Sequence, residues 1–284
     1  MGNAPCGPIP DDTVLNSRYD RASSASGRPV DASMVLATAK RHFEEDLDRA
    51  RRLSAHAPNA PAAVQSDILR AAWMTAVGAG DAYFSDAYAD LVSRTLRAKD
   101  LQPAITIPDR LNNLKVPVIA VLRGKHAGWR WRMAARELME KENVLSLDKI
   151  RELLNTFFDN NNRVLHKDTF ADWITHTSAK QRCFGISARA FRQIPPPNKN
   201  GARDDALKHF EEHFGRIFQR RHDCIHNCDR PRVAIQAITQ TAVDKVIEDI
   251  EFLISRCHDA MVSEFPAYLT RRGCDAVTRN RVCQ

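Results

Sequence analysis

The stretch that decides the fold of this chain is "DDALKHFEEHFGRIFQRRHDCIH", residues 204–226. Its apolar residues recur every three or four positions, with charged and polar residues between them. This spacing is typical of an amphipathic α-helix that buries one face. The stretch therefore predicts a helix that begins near Asp204 and ends in a dense group of Arg, His and Cys. The residues of its apolar face are Leu207, Phe210, Phe214, Ile217 and Phe218.

Helical periodicity on both sides of this stretch predicts an all-α protein. One helix is expected from Asp31, and a longer one from about Ala62 to Ala98, which Pro103 brings to an end. A last long helix is expected to run from Pro231 to about Phe265. Shorter helices are expected at about 109–122, 129–142, 146–159 and 166–175.

The composition divides the chain into two tails and one helical domain. Residues 1–30 are rich in Gly, Pro, Ser and Asp, which is typical of a flexible tail. The helices near the two ends are expected to form the main bundle, and the middle is interpreted as a helical insertion between them. The predicted segments are the N-terminal tail (1–30), the domain (31–270) with its bundle core (about 62–100 and 203–265) and insertion (about 101–200), and the C-terminal tail (271–284).

The charge of the chain favours an anionic partner. The net charge is +7, and 31 Arg outnumber 11 Lys. The planar donors of Arg match phosphate oxygens better than Lys does, so this balance leans towards nucleic acid, although a GC-rich genome also enriches Arg and Ala. No apolar run is long enough for a membrane span, and no secretory signal is present, so a cytoplasmic protein without a membrane partner is expected.

The segment "QRRHDCIHNCDRP", residues 219–231, is a metal site, a phosphate-handling site or only the solvated end of a helix. As a zinc site, it offers His222 and His226 at i, i+4 spacing, with Cys224 and Cys228 at the same spacing on another helix face. Zinc needs four converging ligands, usually from two separated pairs, and no second pair stands out. The favoured prediction is therefore that the chain uses no metal and no cofactor.

As a phosphate site, the same segment offers an arginine and a histidine at short spacing. His226 can take or give a proton because the pKa of histidine lies near neutrality. Arg221 can neutralise the charge that builds on a phosphorane. If residues 221–226 form one unbroken helix, these two side chains point about 140° apart. A kink after Arg221, or two copies of the chain facing each other, is then needed to bring them together.

In this context the segment resembles the HEPN superfamily of helical ribonucleases and nucleotide-binding domains, in the branch with a double Arg before the His. "WMTAVGAGDAYFSDAYADLV", residues 73–92, is similar to the earlier helix of that family, in which an acidic residue precedes an aromatic pair. The resemblance covers about 65–100 and 203–260. It implies a HEPN-like bundle, a homodimer with the site at its interface, and a set of catalytic residues: Arg221, His226, Arg220, His222 and Asp81. The family often has Asn or Asp where this chain has His222, and Glu where it has Asp81.

A second basic segment, "GWRWRMAARELMEK" at 128–141, suits contact with RNA. Arg130 and Arg132 flank Trp131, and aromatic rings beside Arg can stack on bases. The alternative is a tryptophan pair divided between core and surface.

Three functions remain open from the sequence. The first is a metal-independent endoribonuclease that cuts RNA through its 2′-hydroxyl; the resemblance suggests a toxin or anti-phage effector with an antitoxin or defence-system partner. The second is a non-catalytic helical module that binds RNA, nucleotide or protein. The third is a helix-turn-helix DNA binder, which the acidic middle of residues 232–258 disfavours, because it would repel a DNA backbone.

Overall fold

The computed structural model describes residues 34–112, 127–140, 146–230 and 234–284. No β-strand occurs within these ranges, so the all-α prediction is confirmed. Short 3-10 turns lie at Ala57–Asn59, Asn155–Phe157 and Pro196–Asn198. The helices are α1 (Ala37–His56), α2 (Ala62–Leu101), α3 (Asp109–Asn112), α4 (Ala127–Glu140), α5 (Leu147–Leu154), α6 (Lys167–Thr175), α7 (Gln181–Phe184), α8 (Ala188–Gln193), α9 (Lys199–His226), α10 (Gln240–Arg271) and α11 (Ala276–Cys283).

The helix α2 is the element against which the others are arranged. It continues through Gly78 and Gly80 as one helix. A Cβ added at Gly80 would lie 3.5 Å from Cγ2 of Ile250, which marks the place where α10 comes close to α2. On the α9 side, the indole of Trp73 donates to the backbone oxygen of Ile217 over 3.3 Å. These contacts bring the two segments of the predicted bundle core together.

The last long helix begins later than predicted. The hydroxyl of Thr239 accepts from the backbone N–H of Ala242 over 3.2 Å and caps a helix that starts at Gln240. The prediction of a helix directly after Pro231 is therefore wrong for residues 234–239, while 231–233 lie outside the described ranges. The end is also further on, at Arg271, and Pro266 lies inside the helix.

The predicted C-terminal tail is wrong for residues 276–283, which form the helix α11. Asp275 caps this helix by accepting from the backbone N–H of Thr278 over 2.7 Å. Val282 is fully buried, and its backbone oxygen accepts from Arg94 of α2. Val282 and the partly buried Cys283 are the apolar side chains that pack this short helix on the core, which is too few to produce a clear periodicity in the sequence.

Buried side chains of residues 146–200 belong to the same hydrophobic core as those of α2, α9 and α10. Phe157 packs edge-on against Tyr88 of α2 and Tyr268 of α10, with ring centroids 5.7 and 5.2 Å apart. Phe170 of α6 packs edge-on against Phe210 of α9 at 5.1 Å. The segment interpreted as an insertion is therefore part of the unit that runs to the C-terminus.

Two further predictions fall outside the described residues. These are the N-terminal tail at 1–30 and the part of the predicted helix 109–122 that follows Asn112.

Candidate functional site

The Arg–His segment lies at the C-terminal end of α9, which is unbroken to His226. Beyond it, Cys228 and Asp229 adopt left-handed backbone conformations, with φ of 49° and 57°. The backbone N–H groups of Asn227 and Asp229 both donate to the oxygen of Asp223 over 2.9 Å, which closes the last turn. Because the helix has no break after Arg221, its side chain and that of His226 leave the axis about 140° apart.

His222 and His226 form a pair on the exposed side of this helix end. Their ring centroids lie 4.4 Å apart, and the rings are inclined by 42°. Both side chains are exposed. This helix end therefore presents two imidazoles next to each other, which are enough for one proton acceptor and one proton donor.

Arg221 lies on the opposite side of the helix end, near Asp81 of α2. Both residues are half-buried. Burial raises the pKa of Asp81, while the positive charge of Arg221 lowers it by a smaller amount, so the net shift is upward. Asp81 also lines a cavity of about 10 Å³, about the size of one water molecule, together with Gly80, Phe84, Phe218 and Ile250. Arg221 of α9 and Asp81 of α2, which were predicted to belong to one site, therefore lie near each other in the folded chain.

Arg220 has a different environment from its neighbour. Its Nη2 donates to Oδ2 of Asp229 over 3.0 Å and to the backbone oxygen of Ala237 over 3.0 Å. Arg70 of α2 donates from Nε to the same Oδ2 over 2.8 Å and from Nη2 to the oxygen of Gln236. Asp229 is completely buried. The two arginines thus bind the connection between α9 and α10 through one carboxylate and two backbone oxygens.

The predicted RNA-binding residues lie on α4, on a different side of α2. Trp131 is half-buried against the core, and Arg130 lies over its ring and pairs with Asp100 over 2.7 Å. Arg132 has a side chain that is 60% exposed and lies 3.9 Å from Asp90. Nine residues separate Asp81 from Asp90, which places them about 180° apart around α2. The structure therefore does not join these residues to the Arg221–Asp81 pair.

The structure brings together a group of polar side chains that the sequence did not indicate. Cys183 of α7, His213 of α9 and Asp249 of α10 place one potential ligand atom each within 4.8 Å of one another. Arg182 also contacts the carboxylate, with Nη2 2.8 Å from Oδ1 of Asp249. Burial and the neighbouring carboxylate raise the pKa of the Cys183 thiol. The pKa of Asp249 is lowered, because hydrogen bonds from His213 and Arg182 outweigh the effect of burial.

Spacing alone could not reveal this group, because its members come from three helices. The only local signal is "HFEEH", which places His209 and His213 one turn apart on α9. Asp249 belongs to the acidic middle of residues 232–258, but its side chain is 1% exposed. Other carboxylates of that run are also paired: Glu251 with Arg51 at 2.7 Å and Glu248 with Arg182 at 2.7 Å. Their charges are compensated within the fold, which weakens the argument that they repel DNA.

The zinc interpretation of residues 222–228 gains no support. Within the described ranges, the group of Cys183, His213 and Asp249 is the one place where three or more Cys, His, Asp or Glu ligand atoms converge. His222, Cys224, His226 and Cys228 do not form such a group.

No protein-family model matches the chain, and neither curated proteins nor solved structures gave a match. Among the described helices, none combines the length and the apolar character needed to cross a bilayer.

Proposed function

We propose that this protein is a metal-independent endoribonuclease whose catalytic groups lie at the end of α9. The observation that carries the proposal is the exposed pair of imidazoles, His222 and His226, with ring centroids 4.4 Å apart. Two neighbouring imidazoles are the minimum needed for acid–base cleavage of RNA, one to accept a proton and one to donate it. The resemblance of this segment to HEPN ribonucleases agrees with that chemistry.

In the proposed reaction, one imidazole removes the proton of the ribose 2′-hydroxyl as its oxygen attacks phosphorus. The bond from phosphorus to the 5′-oxygen breaks, and the other imidazole protonates that leaving oxygen. The products are a 2′,3′-cyclic phosphate and a free 5′-hydroxyl. Because RNA supplies the nucleophile, no metal is needed. Arg221 would neutralise the charge that develops on the non-bridging oxygens.

We propose further that the complete site is formed by two copies of the chain. Arg221 and the imidazole of His226 leave α9 about 140° apart, so one helix does not direct both at one phosphate. Ile225 lies between them on the helix and is 47% exposed, which suits an interface. In a symmetric dimer through this helix end, Arg221 of one protomer would face the histidine pair of its partner. Asp81 would then hold Arg221 in position.

The cellular role follows from the activity in this proposal. A ribonuclease of this kind damages the cell that makes it, so we expect a cytoplasmic toxin or defence effector that an antitoxin or another partner restrains. Arg130, Trp131 and Arg132 stay candidates for RNA contacts outside the site, and Arg132 is the most exposed of the three.

A second candidate is a helical module that binds RNA or a protein without cleaving it. The exposed Ile225 and Ile235, at 47% and 49%, flank the helix end and favour an interaction surface there. Cleavage assays separate the two functions, because a binding module retains RNA but leaves it intact.

The test is cleavage of end-labelled RNA in excess EDTA by the wild type, His226→Ala and His56→Ala. His56 is an exposed histidine at the end of α1 and serves as the matched control. We expect cleavage by the wild type and His56→Ala, with cyclic phosphate ends, and a loss of about 10²-fold or more in His226→Ala. Equal cleavage by all three proteins would place the activity elsewhere.

A further inference from the structure

Three helices direct a thiol, an imidazole and a carboxylate to one point beside the core. Sγ of Cys183 donates to Oδ1 of Asp249 over 3.2 Å, and Nε2 of His213 lies 2.8 Å from Oδ2 of the same carboxylate. Cys183 is fully buried, and the side chains of Asp249 and His213 are 1% and 16% exposed. The group is thus enclosed on the side of the core and reaches solvent on the side of the histidine.

The donor types and their spacing suit a tetrahedral metal ion. Thiolate, imidazole and carboxylate together are ligands that Zn²⁺ accepts, whereas Mg²⁺ and Ca²⁺ prefer oxygen alone. With zinc bonds of about 2.0–2.3 Å, tetrahedral ligand atoms lie about 3.3–3.6 Å apart. In the structure one ligand atom of each residue lies within 4.8 Å of the others, although Cys183 and His213 contact different oxygens of Asp249. The ligand atoms would therefore have to draw together by at most about 1.5 Å to form the site.

Arg182 hydrogen-bonds to the carboxylate of Asp249 and can hold it in position for a metal ion. Its Nε lies 3.0 Å from Oδ1 and 3.2 Å from Oδ2 of Asp249, and its Nη2 also contacts Glu248. A carboxylate has about four lone-pair positions, so an arginine can hold it while a metal takes another position. Such a donor fixes the orientation of a ligating carboxylate and keeps it ionised.

We propose that Cys183, His213 and Asp249 bind one Zn²⁺ ion, with a water molecule or an anion at the fourth position. Binding replaces the S–H bond of Cys183 by a Zn–S bond, and the thiol proton leaves to the solvent. The ion would tie α7, α9 and α10 together. This proposal does not depend on ribonuclease activity. His213 lies about 12 Å along α9 from Arg221, so the metal stabilises the helix that carries the catalytic residues without taking part in cleavage.

The test is Co²⁺ titration of the full chain after removal of bound metal with a chelator. Co²⁺ replaces Zn²⁺ and reports its ligands by absorption, because tetrahedral Co²⁺ shows d–d bands and a thiolate ligand adds a charge-transfer band in the near ultraviolet. We expect both bands to saturate at one equivalent of Co²⁺ in the wild type and to disappear when Zn²⁺ is added. A wild-type protein without these bands would overturn the proposal.

Variants identify the ligands. Cys183→Ser should lose the charge-transfer band, and His213→Gln should bind Co²⁺ at least about tenfold more weakly. Cys228→Ser is the matched control, because Cys228 is exposed and belongs to the other Cys–His segment, and it should keep both bands. A charge-transfer band that survives in Cys183→Ser but disappears in Cys228→Ser would refute the assignment.

Circular dichroism of each variant separates loss of metal binding from loss of folding. His213 is partly exposed, so His213→Gln keeps the proposal testable if Cys183→Ser does not fold. The readout is spectroscopic, so its outcome is independent of whether the protein cleaves RNA.

Discussion

Arg220 donates from Nη2 to Oδ2 of the buried Asp229 over 3.0 Å, and this contact distinguishes it from the adjacent Arg221. Arg220 also lies over the ring of Trp73, 5.0 Å from its centroid. Arg221 has no such role in the connection between α9 and α10 and lies near Asp81 instead. Two neighbouring arginines of one motif therefore have different surroundings: Arg220 contacts the connection between α9 and α10, and Arg221 lies near Asp81.

This difference predicts opposite outcomes for two substitutions. Arg220→Ala should lower the free energy of unfolding by about 2 kcal/mol, because Asp229 keeps Arg70 but loses a charged hydrogen bond in a buried position. Arg221→Ala should change it by less than about 1 kcal/mol and abolish cleavage. Urea denaturation and the RNA assay measure the two effects. A destabilised Arg221→Ala with an intact Arg220→Ala would reverse the assignment.

The histidine pair predicts a loss of activity without a loss of stability. His222→Ala and His226→Ala should each reduce cleavage by about 10²–10⁴-fold, because each removes one partner of the proton transfer. Both side chains are exposed, so thermal unfolding should stay close to that of the wild type. If His222→Ala retains full activity, the second imidazole must come from the partner protomer.

Asp81 predicts a dependence of stability on pH. Its folded-state pKa is raised above the unfolded value, so the contribution of the neutral carboxyl to stability is present at low pH and is lost as pH rises through the folded-state pKa. Asp81→Asn should therefore unfold with equal or higher free energy at neutral pH, and its advantage should vanish at about pH 4 and below. Urea denaturation at several pH values measures this, with the exposed Asp172→Asn as control. The same variant should cleave RNA poorly if Asp81 positions Arg221.

The lowered pKa of Asp249 predicts that stability depends on pH in the direction opposite to that of Asp81. Its pKa is lowered by His213 and Arg182, so its contribution to stability is present above about pH 4 and is lost as pH falls through the folded-state pKa. In excess EDTA at neutral pH, Asp249→Asn should lose about 3 kcal/mol of unfolding free energy, because Arg182 is left without its buried partner. The half-exposed Glu248→Gln should lose far less. An Asp249→Asn variant as stable as the wild type at pH 7 would argue against this network.

The exposed Ile225 predicts that assembly depends on the end of α9. Ile225→Glu should shift the protein from dimer to monomer in analytical ultracentrifugation, because two carboxylates would be buried against each other in a symmetric interface. Val277→Glu is the control, since Val277 of α11 is 78% exposed. A monomeric wild type with full activity would contradict the shared site.

Local patterns in the sequence were sufficient to predict most of the helices and the position of the Arg–His segment. The periodicity of Phe210, Phe214 and Ile217 reports a helix because the residues that bury its face are only three or four positions apart. Proline and capping residues also act locally, so α2 ends close to its predicted boundary. The start of α10 was missed, because the cap at Thr239 was not recognised within an apolar run that begins earlier.

The contacts between side chains of different helices depend on how the helices pack and could not be predicted from the sequence. The placement of Arg220 against Asp229 requires α2 to supply Arg70, and the group of Cys183, His213 and Asp249 requires three helices to converge. No spacing along the chain encodes these contacts, because packing of distant helices sets the distances between their side chains. The same reason explains why Arg221 and Asp81, which lie in two distant segments of the sequence, come near each other only in the folded chain.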